Sequence, residues 1–231
     1  MTKQAYPLAA LGMADESASP ESNAKSPARP ENFARSLFHL GSAVAAFLMV
    51  RLLPGRPWLI GVSGTLAAMA WSVEITRRFS PRVNAFMMRL FANIAHPQEA
   101  TRVNSSTWYL TALVGLAILS PLRSAELGVV VLGLADPAAG FIGRRIGRTK
   151  IKQNRSLEGT LGFFATGTLA ALVILGVFHA LPMPTMLLLA TTSAAAGAIA
   201  ELFSGKLDDN FTIPVSVAAA ATITSVLAAV G

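Results

Sequence analysis

An aspartate stands where hydrocarbon is expected. Asp136 lies in Leu132-Gly-Leu-Ala-Asp136-Pro-Ala-Ala-Gly140-Phe-Ile-Gly143, about two-thirds along an apolar stretch. A carboxylate at membrane depth costs a few kcal/mol and normally faces a partner or a water-filled cavity. Pro137 interrupts the helical ladder beside it, which is tolerated only inside protein or next to a cavity. A plainer alternative ends the helix near Ala135 and leaves Asp136 as an interfacial cap. Behind it runs Gly143-Arg-Arg-Ile-Gly147-Arg-Thr-Lys-Ile-Lys-Gln-Asn-Arg155-Ser156-Leu-Glu158-Gly159. Its six cations, Arg144, Arg145, Arg148, Lys150, Lys152 and Arg155, fall within twelve residues. Glycines that let the main chain approach closely, with cations to neutralise oxygens, suit a triphosphate. Membrane topology alone would also put cations here, in any order. A Gly143/Gly147 helix-packing pair is disfavoured by the two arginines between them. Nor is this a P-loop, since the spacing is one residue short and Arg148 stands where that motif needs Lys.

Further polar residues interrupt or flank other apolar runs, and each has a structural explanation beside a chemical one. His39 lies on an apolar segment, where histidines usually pack or sit at an interface. Glu74 with Arg77 and Arg78 has the spacing of a local helical ion pair. His96-Pro97 reads as an interfacial turn. Glu201 ends a long uncharged run, and Asp208-Asp209-Asn210 either opens the last helix, with Asn210 as its cap, or belongs to a site.

The elements that must position these groups are membrane helices. Apolar residues make up 53% of the 231 and charged residues 13%, about half the ~25% of soluble domains. Mean hydropathy is positive. Gly159–Ala200 gives 42 consecutive residues without Asp, Glu, Lys or Arg, and Phe211–Gly231 another 21, against the ~20 that a spanning helix needs. The expected fold class is all-α, a polytopic integral membrane helix bundle of about seven transmembrane helices. These are Ser36–Leu53, Trp58–Thr76, Ser105–Ser120, Glu126–Ile142, Gly159–His179, Thr185–Leu202 and Thr212–Val230. Pro54, Pro57, Pro121, Pro182 and Pro184 fall between them. Sixteen of the 19 Lys and Arg then lie on one side, and only Arg51, Arg56 and Arg123 on the other. That asymmetry predicts a cytoplasmic N-terminus and active-site loops, and a non-cytoplasmic C-terminus. Residues 1–34, rich in Ser, Pro and charge, read as a disordered cytoplasmic tail and not a cleaved signal, with 35–231 the membrane domain. The absence of cysteine excludes disulfides and thiolate metal sites. The net charge of +7 lies in short loops, which favours anionic lipid or an anionic substrate over nucleic acid as partner.

The order of residues around Asp136 adds a family. Asp136, Ala139, Gly143 and Gly147, then the basic stretch, then Arg155-Ser156-Leu157-Glu158-Gly159 resembles the nucleotide motif of the CTP-dependent polyprenol kinases. That family includes dolichol, phytol and farnesol kinases and the CTP-dependent diacylglycerol kinase. Arg155 stands where its members usually have Lys, and the basic linker is short. Glu31-Asn-Phe-Ala-Arg35-Ser-Leu-Phe-His39-Leu-Gly41 is similar to the family's opening segment. Glu74–Asn84 with His96–Glu99 is similar to its second connection, and Glu201 with Asp208, Asp209, Asn210 and Pro214 to its terminal box. The resemblance implies phosphoryl transfer from CTP to a membrane lipid alcohol, an isoprenoid alcohol or diacylglycerol. It implies Ala139, Gly143, Arg144, Arg145, Gly147, Arg148, Lys150, Arg155, Ser156 and Gly159 as nucleotide contacts. Mg²⁺ is expected on Asp136 with one of Asp208 or Asp209, so that Asp136 and Asp209 are catalytic. Glu158 is a second choice for the metal or for the hydroxyl proton. Arg35, His39, Glu74, Glu201 and Asn210 are further candidates. The choice of CTP rests on the resemblance alone.

Two other functions compete. Phosphatidate cytidylyltransferases carry a similar central stretch, but their C-terminal Lys-Arg, Lys-Asp and Gly-His-Gly-Gly features are missing here. A transporter coupling ions through Asp136 and Glu74 would spread titratable groups through its depth, whereas these acids gather towards one side.

Overall fold

The computed structural model describes residues 33–94, 97–152, 155–205 and 207–230. The expected tail, up to residue 32, therefore lies outside the described residues, as do His96, Gln153, Asn154 and Lys206. Seven long helices follow the apolar runs: α1 (Phe33–Leu52), α2 (Arg56–Phe79), α4 (Ser105–Leu119), α5 (Leu122–Ile146), α6 (Leu157–Phe178), α7 (Met183–Phe203) and α8 (Asp209–Val230). A ten-residue helix, α3 (Pro81–Leu90), and a 3₁₀ turn (Pro97–Ala100) fill the connection between α2 and α4. Short polar residues start the helices. Ser80 accepts from the Val83 amide, Asn104 from Ser106 and Ser156 from Gly159. Proline enters the first turn of α2, α3 and α7, where its missing donor costs nothing.

Six of these helices are long and apolar enough to cross a membrane, and the fifteen-residue α4 is a shorter apolar helix. Large side chains such as Leu48, Leu169, Val173, Ile199 and Ile223 face outward around the bundle. A water-soluble protein would not present that surface. The chain is an integral, multi-pass, all-α membrane protein. At its centre α5 is buried almost continuously from Ser124 to Gly133, enclosed chiefly by α1, α6 and α8. Leu127, Val131, Phe163, Leu175, Ile213 and Val217 form the core between α5, α6 and α8.

Four expectations are corrected. Helix α5 does not stop at Ala135 or at Ile142; it runs through Pro137 to Ile146. Only the Gly133 carbonyl loses a helical donor there. The last helix starts at Asp209 instead of Thr212 because Asp208, not Asn210, caps it. The Asp208 side chain accepts from the Asn210 amide at 3.0 Å, and its carbonyl accepts from Phe211 and Thr212. The connection after α2 contains α3, which its Arg82 and Arg89 concealed in a count of apolar runs. Finally, the basic stretch forms an antiparallel hairpin, β1 (Lys150–Lys152) with β2 (Arg155–Ser156), the only strands among the described residues.

Candidate active site

One end of the bundle gathers the ends of α2, α5 and α7 with the starts of α1, α4, α6 and α8. Its centre is Arg155. Strand β2 carries this residue back from the hairpin, directly before α6, so that its guanidinium turns towards the neighbouring helix ends. One nitrogen donates to Glu201 at the end of α7, and the other to Asp209 Oδ2 at the start of α8, at 2.5 Å. Burial alone would lower the affinity of Arg155 for its proton. The charges of Asp209 and Glu201, joined by Asp136, outweigh that and raise it, so the side chain is held as a cation. Two carboxylates thus hold one guanidinium, and a third, Asp136, lies near enough to act on it through its charge. Glu201 is almost fully buried, yet its Oε2 has no hydrogen-bond partner among the described residues. Such an oxygen is costly unless something else binds it.

Sequence separations of 8 to 73 residues between these four side chains collapse into one cluster. The adjacent acids divide. Asp209 faces Arg155, whereas Asp208 is spent on the α8 cap and on the Ser105 hydroxyl, 2.9 Å away at the start of α4. Asn210 donates to Asp208 at 2.7 Å and is buried. On the other flank His39 Nε2 lies 4.0 Å from Asp136 Oδ2, joining α1 to α5.

The small residues of the motif pack closely against one another. A Cβ on Gly159 would stand 3.0 Å from the Ala139 carbonyl and 3.3 Å from Gly143 Cα; one on Gly143 would stand 3.1 Å from Ser156 Oγ. Gly147 meets the same Ser156 side chain. Ala139, Gly143, Gly147, Ser156 and Gly159 therefore fill one another's space at the α5–α6 crossing. This close fit fixes where the hairpin leaves the bundle, and their expected role as nucleotide contacts stands beside it. Glu158 is likewise engaged, accepting from the Thr149 amide at 3.1 Å to close the base of the hairpin. The exposed cations are Arg144, Arg145, Arg148, Lys150 and Lys152. Two of them rest on rings, Arg145 on Phe141 and Lys152 on Phe203.

Glu74 and Arg35 belong to a second, saturated cluster. Glu74, 2% exposed, holds Arg77 through two hydrogen bonds of 2.7 and 2.9 Å and accepts from Arg78 and the Asn104 amide. Arg77 also reaches Asn84 and the Glu99 and Arg102 carbonyls. Arg35 donates to Glu99 and to the Ile94 carbonyl. This network fastens α1, α2 and α3 to the start of α4, and it answers the structural side of the Glu74 motif. Between these helices lies a cavity of about 320 Å³. Its walls include Phe38, Leu66, Met69, Val73, Met87 and Leu110, and His39 and Asn210 lie on its lining. Sequence reading found neither the cavity nor the clamp on Arg155. The available signal was the lone acid Glu201 closing a 42-residue uncharged run.

No family model and no solved structure matches the chain. Curated proteins do. The chain is 27% identical over 162 residues to the CTP-dependent diacylglycerol kinase 1 of Eremothecium gossypii, covering 62% of this chain and 51% of that protein. It is 27% identical over 159 residues to the same-named enzyme of Schizosaccharomyces pombe, covering 63% and 72%. To the dolichol kinase of Saccharomyces cerevisiae it is 32% identical over 112 residues, covering 46% and 21%. The chain thus spans about half the length of the first of these relatives. The homologues are CTP-dependent diacylglycerol kinases and a dolichol kinase, which are the proteins that the Asp136–Gly159 block resembles.

Proposed function

We propose that this chain is a CTP-dependent kinase that transfers the γ-phosphoryl group to the hydroxyl of a membrane lipid alcohol. The observation that carries the reading is the meeting of Asp136, Glu201 and Asp209 around Arg155, beside an exposed cationic hairpin, at one end of an apolar bundle. Phosphoryl transfer asks a protein mainly to position its reactants and to offset charge. Arg144, Arg145, Arg148, Lys150 and Lys152 take the triphosphate oxygens from the hairpin side. Asp136, Asp209 and Glu201 are hard oxygen donors, and the unpartnered Glu201 Oε2 fits a hard cation. Among the described residues no three such groups already stand at ligating distance. These acids would hold Mg²⁺, which supplies charge neutralisation at the transferring phosphoryl group. Arg155 keeps the three carboxylates from repelling one another and positions Glu201 and Asp209 together. The acceptor oxygen bonds to the γ-phosphorus as the P–O bond of the β–γ bridge breaks; that bond's electron pair leaves with CDP, and the hydroxyl proton passes to water.

The lysine and arginine asymmetry supports a cytoplasmic position for this end of the bundle and for the N-terminal tail. The named relatives are kinases, which favours this reading over cytidylyl transfer or ion transport. The test is a matrix of nucleotide donors against isoprenoid alcohols and diacylglycerol on the purified full chain, with and without Mg²⁺. CTP- and Mg²⁺-dependent formation of lipid phosphate and CDP is expected. Pyrophosphate as the product would establish cytidylyl transfer instead, and no product with any acceptor would defeat the proposal.

A further inference from the structure

The cavity between α1, α2, α3 and α4 ends on a histidine that nothing else explains. Most polar side chains around it are committed: Glu74 to Arg77, Asn104 to Glu99, Asn210 to Asp208, and Arg35 to Glu99 and the Ile94 carbonyl. Tyr109 donates to the Ser42 carbonyl at 3.3 Å. His39 differs. Its Nε2 is buried without a hydrogen-bond partner among the described residues. The nearest acid, Asp136, is 4.0 Å away, too far for a hydrogen bond. An unsatisfied buried nitrogen costs roughly 1–3 kcal/mol unless a partner arrives. The walls leading to it are apolar, and Leu37, Leu66, Met69 and Val73 continue that surface onto the outside of the bundle.

We infer that this cavity is the acceptor site and that His39 binds the hydroxyl of the lipid alcohol, orienting it towards Asp136. The inference rests on the kinase reading for its occupant. A hydroxyl donates to the free lone pair of Nε2, which an ether cannot do, after a turn of the ring towards the cavity. From there its oxygen lies next to the carboxylate that adjoins the Arg155 cluster, while the chain lies along Leu66, Met69 and Leu110. His39 is thus a positioning residue that reads the head of the acceptor, and the apolar walls read its tail.

The experiment uses the full chain in lipid nanodiscs, farnesol bearing a diazirine as photoprobe, and farnesol and farnesyl methyl ether as competitors. In the wild type, labelling is expected at wall residues such as Phe38, Met69 or Met87. The ether should compete about tenfold more weakly than the alcohol, the worth of one hydrogen bond. His39→Ala should abolish that discrimination, and should raise KM for the alcohol about tenfold with KM for CTP unchanged. His39→Gln, which keeps a hydrogen-bonding group, should recover part of both. Equal competition by alcohol and ether in the wild type, or labelling outside the cavity, would overturn the inference even if His39→Ala failed to fold. The two proposals fail separately. Hydroxyl discrimination without phosphorylation of any alcohol removes the kinase reading and keeps the site. Phosphorylation without discrimination removes the site alone.

Discussion

Both ends of the bundle bury a glutamate against an arginine, but the two clusters are completed differently. At the end away from the hairpin, Glu126 is 2% exposed at the start of α5. Both of its oxygens are used, one by Arg51 at 3.2 Å and the other by His179 at 2.7 Å. Arg51 also lies over Phe178, which packs on Phe47. Nearby, Arg56 donates to the Ile118 and Ser120 carbonyls and Arg123 to Ser225. Everything there has a partner. At the hairpin end two acids bond one guanidinium with Asp136 near it, and a carboxylate oxygen of Glu201 is left over among the described residues. A saturated ion cluster joins helix ends and is finished when the chain has folded. An unsaturated one of excess charge is finished only by a ligand, and this difference separates a fastening from a site.

The largest test of that contrast is Asp136→Asn. Turnover should fall by about a thousandfold, since a cation-binding carboxylate is lost where charge develops. Thermal midpoint and membrane insertion should hold, as measured by melting of the purified protein and by its yield in membranes. Full activity would remove Asp136 from the site. Next comes Glu126→Gln at the saturated end, with the opposite profile. It should cost about 2 kcal/mol of stability, because Arg51 and His179 lose a charged partner, yet leave turnover below the melting range within about twofold. A large loss of kcat there would erase the distinction between the ends. The smallest effect belongs to Arg148→Gln combined with Lys150→Gln on the hairpin. KM for CTP should rise roughly three- to tenfold at low salt, and the gap to wild type should narrow as salt screens exposed charge.

Much of this was legible in sequence, for stated reasons. Asp136 stood out because a lone carboxylate inside an apolar stretch has few structural explanations. The apolar runs located seven helices because a thirty-ångström slab demands them. Which cation of the basic stretch would matter was not legible. Arg155 is singled out by the register of the hairpin, where Lys152 pairs with Arg155 and Lys150 with Ser156. A two-rung ladder leaves no periodic trace in sequence. Asp208 and Asp209 were equivalent until the first turn of α8 was fixed, since one residue of shift exchanges the capping acid with the outward one. The glycines carry two readings at once for a related reason, because closeness to a neighbouring helix and closeness to a ligand demand the same missing side chain. The cavity belongs to no single segment and could not be read from any.

The brevity of α4 has one last consequence. Fifteen residues span about 22 Å, short of the ~30 Å hydrocarbon slab, and the Asp208–Ser105 and Glu74–Asn104 bonds tie the start of α4 to α8 and α2. Helix α5 meanwhile continues ten residues past Asp136, about 15 Å. Helix α5 thus sets its exposed Arg144 and Arg145 about 12–14 Å further along its axis than Asp136. On the kinase reading, a nucleotide arriving from water would meet those cations first, and an alcohol arriving from lipid would meet the carboxylate below them.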